Sequence, residues 1–413
     1  MWCLLLENVL ALKHRFENDF GEAALWQYDG LFKNCIEYWS SKYEYYQEMF
    51  YPLIVEQFGD FLLFRYNILE TKKGFWEKYD GMYRECRSIV IDIKNECVVL
   101  APFSKFFNLN ETDETQEKII RKRIQSANYV TVTDKLDGSM QSARYYNGHI
   151  ILSGTRNMDP SVSKRVEIGY QLLTDNYKKM LVENPQETFI FELIHPYDKH
   201  IVDYDASMIG LHLIGVRNVT TGYQYSYIEV VEFAQKYHIK HVTISQLTFD
   251  ELMEELDDKN CNEAEGFVVD IDGYKIKVKY NDYVKLHKVL LKTLSTNTII
   301  QAVNDNSWDD LYSKIPDIYK EDAEIVANNV KLFVKKKHEM VIKIYKDCCS
   351  KYTKDPSSLR EDKKNFISFI MQNHKKESPY LLNMYKNNKN NYLVSKSGRQ
   401  IKYKDILEWL SKT

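Results

Sequence analysis

The sequence has no cysteine pair at C-x-x-C spacing, no G-x-x-x-x-G-K-[ST] phosphate loop, no internal repeat and no low-complexity linker. The seven cysteines, Cys3, Cys35, Cys86, Cys97, Cys261, Cys348 and Cys349, are odd in number. This argues against a zinc site or a disulfide scaffold and for a reducing compartment. Without the phosphate loop there is no signature of a kinase of that type. No run approaches the ~20 apolar residues of a membrane-spanning helix. The apolar stretch 2–12 is broken by Glu7 and followed by Lys13 and Arg15. It is too short and too early-charged for a signal peptide, and its spacing predicts an amphipathic helix. These absences predict a soluble, cytoplasmic protein with no membrane partner.

What is present is enough for two or three domains: 413 residues, 44% of them hydrophobic. The net charge of -3 is unevenly divided. Residues 331–413 hold 20 Lys/Arg against 8 Asp/Glu, a charge of +12, which leaves -15 on residues 1–330. Most charge runs are solvated helix faces, but an asymmetry of this size favours a polyanion partner. Residues 1–80 mix helical and strand patterns. From Ser88 to about Leu290 the chain is strand-rich, with strands predicted at 88–93, 97–100, 129–133, 188–194 and 209–216. Two more pairs flank hairpin signals: 142–146 and 149–152 around Asn147-Gly148, and 266–271 and 274–280 around Asp272-Gly273. Beyond 290 the pattern is helical. The expected class is α+β: an antiparallel-sheet domain over 1–290, including an N-terminal extension, then a basic, all-helical domain over 291–413.

The segment Lys135-Leu136-Asp137-Gly138-Ser139 follows the strand predicted at 129–133. Lysine followed by x-Asp-Gly is how enzymes that carry a nucleotide monophosphate on lysine present the nucleophile. Such a lysine must be unprotonated to attack phosphorus, so its pKa is expected to be lowered by its surroundings. Strand alternation puts Lys275, Lys277 and Lys279 on one face and Ile276, Val278 and Tyr280 on the other. Three like charges on one face are tolerable at the surface or around an anion such as a phosphate. Glu192 is one carboxylate in the apolar strand 189–194, and a buried Glu needs a partner. Glu265, with Gly266, enters the next strand and suits a metal or a ribose. His195 lacks metal-ligand company and reads as structural.

The order KLDGS, FIFELIHP, EGFVV and KIKVKYNDYVKLH resembles motifs I, III, IV and V of covalent polynucleotide ligases, and most of all the ATP-dependent RNA ligase 1 family of T-even phage type. Upstream, ECRS at 85–88 and PFSKFFNLNE at 102–111 resemble that family's own motifs. The resemblance spans roughly residues 50–290 and implies a nucleotidyltransferase (adenylyltransferase) domain. It makes Lys135 the nucleophile that takes AMP from ATP. Lys277 and Lys279 would hold the α-phosphate and lower the Lys135 pKa, with Lys275 a solvated bystander. Asp137 and Gly138 would shape the loop, Asp137 near the phosphates. Arg87 and Lys105 would neutralise pyrophosphate, Phe107 would line the nucleotide pocket, and Arg156 would contact the nucleotide or the RNA end. Glu192 would accept a ribose hydroxyl, and Glu265 would support metal or nucleotide. Tyr283 and His287, after motif V, would pack or orient neighbours. Magnesium, with manganese as substitute, is implied by the phosphates and carboxylates.

The implied partner is RNA with 5'-phosphate and 3'-hydroxyl ends. A helical appendage in this position makes nicked tRNA a candidate substrate, with end healing left to a separate kinase or phosphatase. Ser88 and Asn157 stand where the family has glycine, which puts the local loop shape in question. A DNA ligase or capping enzyme typically carries arginine two residues after the motif I glycine, where this chain has Met140. Such enzymes also carry a β-rich domain after motif V, where only helical patterns are found here. A catalytically inactive nucleic-acid-binding protein would be expected to have damaged motifs, and Lys135, Glu192, Glu265, Lys277 and Lys279 are intact.

Overall fold

The computed structural model describes residues 2–25, 35–67, 70–71, 74–257, 263–284, 296–304, 308–312, 317–351, 360–375, 378 and 381–382. The chain forms two compact units, Met1–His287 and Lys288–Thr413.

The first unit is built on three four-stranded sheets. The first has the order β1-β2-β3-β4: β1 Leu53–Phe58, β2 Phe61–Tyr66, β3 Arg87–Asp92 and β4 Cys97–Leu100. The second, β10-β5-β11-β12, joins β5 Val130–Lys135, β10 Ile244–Ser245, β11 Gly266–Ile271 and β12 Tyr274–Lys279. The third, β7-β6-β8-β9, joins β6 Ser139–Tyr146, β7 His149–Ser153, β8 Glu187–Ile194 and β9 Gly210–Asn218. All pairings between these strands are antiparallel. The α+β antiparallel class expected from the hairpin signals is therefore the one found. Asn147 and Asp272 both adopt positive φ, as tight hairpin turns require.

The amphipathic stretch at the N-terminus is helix Leu4–Phe20, longer than 2–12. It buries Leu5, Val9, Leu12 and Phe16 at helical spacing, and these pack into one core with Trp39, Phe64 and Ile91. Within the strand-rich region, helices Lys164–Leu172, Asp175–Glu183 and Tyr227–Tyr237 cover the third sheet. Their buried residues Val166, Met180 and Val230 share a core with Phe189, Phe191 and Leu213. This explains why β8 reads as a continuous apolar run: all eight of its residues are buried.

The described elements of the second unit are helices, Thr296–Asn304, Trp308–Tyr312, Asp317–Lys351 and Arg360–Asn373. The 35-residue helix and the last one bury Val341, Cys348, Phe366 and Ile370 together. Among the described residues no helix is long and apolar enough to cross a membrane.

Candidate active site

β5 carries Lys135 at its end, and three residues, Leu136, Asp137 and Gly138, separate it from the start of β6. The KLDGS segment is thus the link between the second and third sheets. It can turn this sharply because of Gly138. A Cβ there would lie 2.2 Å from the carbonyl oxygen of Leu193 and 2.9 Å from Cδ1 of Ile194. Gly138 N–H also donates to Oε1 of Glu192 at 3.1 Å. Since the nearest obstacle is strand backbone, Gly138→Ala is expected to destabilise the fold by about 1–3 kcal/mol through overpacking. A urea melt in which the midpoint of that variant matches wild type would contradict this.

The register of the second sheet explains why Lys135, Glu265 and Lys279 meet. Gly266 of β11 stands opposite Lys135 of β5 on one side and Lys279 of β12 on the other. Glu265, one residue earlier, then reaches both ammonium groups: Oε2 lies 2.6 Å from Lys135 Nζ, and Oε1 2.8 Å from Lys279 Nζ. The backbones are close enough here that a Cβ on Gly266 would meet the Val278 carbonyl oxygen at 2.2 Å. The Glu265 side chain is only 4% exposed.

A cavity of about 320 Å³ opens beside this trio, lined by Arg87, Phe106, Lys135, Glu192, Lys277 and residues of β5, β6 and β11. Lys277 sits on the face opposite the fully buried Ile276, Val278 and Tyr280, as strand alternation predicts. Segment 107–109 runs beside it: Lys277 N–H donates to Phe107 O at 2.9 Å, and Leu109 N–H to Lys277 O at 2.8 Å. Burial pushes the Lys277 ammonium well below the ordinary lysine pKa, and Arg87, Lys105, Lys135 and Lys279 add repulsion. Burial likewise lowers Arg87 and Lys105.

Lys135 itself corrects an expectation. Burial pushes its pKa down, but Glu265 and Glu192 more than offset this, and the net direction is upward. The neighbouring lysines do not set its proton affinity because a carboxylate stands between Lys135 and Lys279. Lys275 is a second correction: it is not a solvated bystander but is largely buried, with its ammonium 2.7 Å from Asp270 on the facing strand.

Glu192 sits on β8 opposite Met140. Burial raises its pKa to about 7, Glu265 adds to the rise, and Lys135, His200 and the Gly138 N–H act against it. An unfolded Glu ionises near 4.5, so the folded chain holds this proton more tightly. The stability contributed by Glu192 is therefore lost as pH rises from about 4.5 to about 7. Glu192→Gln is expected to flatten that part of the stability profile; denaturant midpoints across the window that run parallel in wild type and variant would refute it.

The remaining residues lie at or beyond the margin of the cavity. The Phe107 ring is buried against Trp76, with Lys105 Nζ 4.7 Å from its centroid; Phe106 rather than Phe107 faces the cavity, under Lys277 Nζ at 4.5 Å. Asp137 turns its carboxylate away from the cavity. Oδ2 accepts from the N–H groups of Ile201 (2.8 Å) and Val202 (3.0 Å), and Oδ1 accepts from the Tyr283 hydroxyl (2.8 Å). Arg156 is exposed, while its neighbour Thr155 lines the cavity. Ser88 adopts φ 71°, the left-handed region where glycine is favoured, and its hydroxyl donates to Thr155 O at 2.9 Å. The replacement thus ties β3 to the loop that bears Arg156. His195 Nδ1 accepts from Tyr197 N–H, a capping contact. His287 lies outside the described residues. Sequence reasoning missed His200 and Tyr204, which contact the KLDGS segment from a loop with no local pattern to mark it.

The site is therefore a cavity lined by the cations Arg87, Lys135, Lys275 and Lys277, with the carboxylates of Glu192 and Glu265 beside Lys135. Residues 85–283 match the family model described as RNA ligase. A Thermovibrio ammonificans protein described as a candidate RNA ligase is 27% identical over 249 residues, 56% of this chain and 61% of that protein. RNA ligase 1 of bacteriophage TS2126 is 22% identical over 232 residues, 55% of this chain and 57% of its own. The chain thus spans about three fifths of the length of these relatives. A Naegleria gruberi RNA ligase variant solved with ATP and Mn overlaps 45% of this chain and 58% of its own, at 17% identity and a TM-score of 0.35.

Proposed function

We propose that the chain is an ATP-dependent RNA ligase that joins an RNA 3'-hydroxyl to a 5'-phosphate through lysyl-AMP and RNA-adenylate intermediates. The observation that carries this reading is the crowding of Arg87, Lys105, Lys135 and Lys279 around the buried Lys277. Such repulsion is tolerable where a polyanion sits among the cations, and a nucleoside triphosphate has the size and charge for the cavity. Lys135 Nζ, once deprotonated, attacks the α-phosphorus; the P–N bond forms as the bond to the β-phosphate oxygen breaks. Arg87 and Lys105 neutralise the departing pyrophosphate, and Lys277 and Lys279 hold the α-phosphate oxygens. Glu192 accepts a ribose hydroxyl. Gly138 and Gly266 keep the backbone close to the nucleotide, with Asp137 bracing the loop. Phe106 flanks the base, and Arg156 reaches the RNA end. AMP then passes to the RNA 5'-phosphate, and the 3'-hydroxyl displaces it.

Among the described residues no group of three His, Cys, Asp or Glu side chains could cage a metal. Glu265, an oxygen donor paired with the cavity-lining Lys135, suits a hard cation held chiefly by phosphates, with Mg2+ the first choice and Mn2+ the substitute. Bound there, such a cation would supply phosphate neutralisation.

The basic segment 331–413 supports a folded RNA partner, nicked tRNA being the first to test, in an RNA-repair role whose end-healing kinase and phosphatase are separate proteins. The described cysteines are free thiols, with Cys3, Cys35, Cys86 and Cys348 buried, which fits a cytoplasmic setting. The test is incubation with α-phosphate-labelled ATP and Mg2+ followed by a denaturing gel. Label on the protein is expected; its absence after pyrophosphate treatment to strip bound AMP would sink the proposal.

A further inference from the structure

On the far side of the KLDGS loop lies a second cavity of about 280 Å³, and His200 lines both this one and the first. The imidazole stands between two carboxylates. Nδ1 is 3.8 Å from Asp137 Oδ1, and Nε2 is 3.8 Å from Asp198 Oδ2. Glu192, on β8, bears on the ring from the side of the first cavity. Asp198 is fully buried and is held from its other side by Arg165 Nε at 2.6 Å. Beside the ring, the backbone of the same loop is fastened to Asp137. Ile201 and Val202 donate to its carboxylate, and the Asp137 N–H donates to the Tyr204 hydroxyl oxygen at 2.7 Å.

Two buried carboxylates on facing segments repel each other unless a cation stands between them. Without one, the Asp137 side of the loop loses its electrostatic tie, and the turn that aims Lys135 is left with fewer constraints. We propose that His200, as an imidazolium, is a positioning residue for the reaction at Lys135: it binds Asp137 and Asp198 together and fixes the 136–138 turn against residues 196–204. The proposal rests on the ligase reading for its catalytic half, while the clamp itself stands on the contacts alone. Burial pushes the ring toward neutrality, but Asp198, Asp137 and Glu192 outweigh it, so the ring keeps its charge to higher pH than a free histidine. The clamp holds below that raised pKa and loosens as pH climbs through it.

The experiment compares wild type with His200→Gln and His200→Arg in two ways. Hydrogen exchange reads the Ile201 and Val202 amides as a function of pH. A single-turnover assay reads lysyl-AMP formation across the same range. In the Gln variant the amides should exchange faster, and adenylylation should slow on the order of 100-fold with the KM for ATP little changed, as for a misplaced reacting group. The Arg variant, a permanent cation, should restore both and remove the loss seen in wild type at high pH. Equal amide protection in wild type and the Gln variant at every pH overturns the clamp, whether or not the protein labels with ATP. Faster exchange with an unchanged adenylylation rate overturns the positioning role. Failure of wild type to label strikes the ligase reading, while the exchange measurement still decides the clamp.

Discussion

Lys135→Ala is expected to abolish labelling of the protein by α-phosphate-labelled ATP, whereas Lys277→Ala keeps the label but slows its appearance by about 100- to 1000-fold. The pair is informative because proton affinity alone points the other way. Lys277 is the lysine whose pKa is pushed well down, by burial and then by Arg87, Lys105, Lys135 and Lys279, so it is the better supplied with free amine. Lys135 is held protonated by Glu265. Geometry favours Lys135 nonetheless. It stands at the mouth of the turn made by Gly138, between Glu265 and Glu192, whereas Lys277 lies over the Phe106 ring among the cations suited to phosphate oxygens. A lysine that binds an anion by charge is replaceable in part by its neighbours; a nucleophile is not. Label on the Lys135→Ala protein together with none on Lys277→Ala would move the covalent bond to Lys277 and exchange the roles of the two lysines.

The strands bearing the site were legible because their signals are local. Asn147-Gly148 and Asp272-Gly273 mark hairpins whose turn residues show the positive φ that the dipeptides demand. The alternation in 275–280 gives both the fully buried face and the cationic face of β12. Motif resemblance placed Lys135 and Glu265 in one site, but their ion pair was not foreseen, because it depends on the register of three strands drawn from distant parts of the chain. The same register decides which lysine loses its proton, and there the local reading failed: a carboxylate between two ammoniums reverses the expected direction at Lys135. Lys275 was misread for a similar reason. Its partner Asp270 lies across the hairpin and is buried, a fact that the spacing of lysines within one strand does not contain. His200 was not marked by its local sequence: Asp198 is two residues away, but Asp137 comes from a distant segment that only the fold brings to the ring. Ser88 is intermediate: a residue out of place in a motif pointed to an unusual backbone, and the left-handed φ is there, but its bond to Thr155 needed the folded loop.

Glu265→Gln is expected to be the most destabilising of the substitutions at the site. Burial pushes the Glu265 carboxyl up, but Lys135 and Lys279 outweigh it, and the net pKa lies below the ordinary value of 4.5. The two ammonium groups have it as a shared counter-charge, at 2.6 and 2.8 Å, and each is only 19% exposed. An amide leaves two buried cations facing a neutral group, a loss that typically costs about 3–5 kcal/mol. The sign of the pH dependence follows from both partners. The Glu265 contribution is present above its unfolded value of 4.5 and lost as pH falls through the lowered folded one. The Lys135 contribution is present below its unfolded value of 10.5 and lost as pH climbs through the raised folded one. The stability gap between wild type and variant should therefore be widest near neutrality and close toward both extremes. The same change frees Lys135 from the carboxylate and lowers its pKa, so a slow residual adenylylation in the variant should have its pH optimum displaced downward. Urea melts and labelling rates measured across pH read these two effects separately. A gap that does not vary with pH would mean that the trio is held by packing rather than charge, and an optimum displaced upward would mean that Glu265 is not what keeps Lys135 protonated.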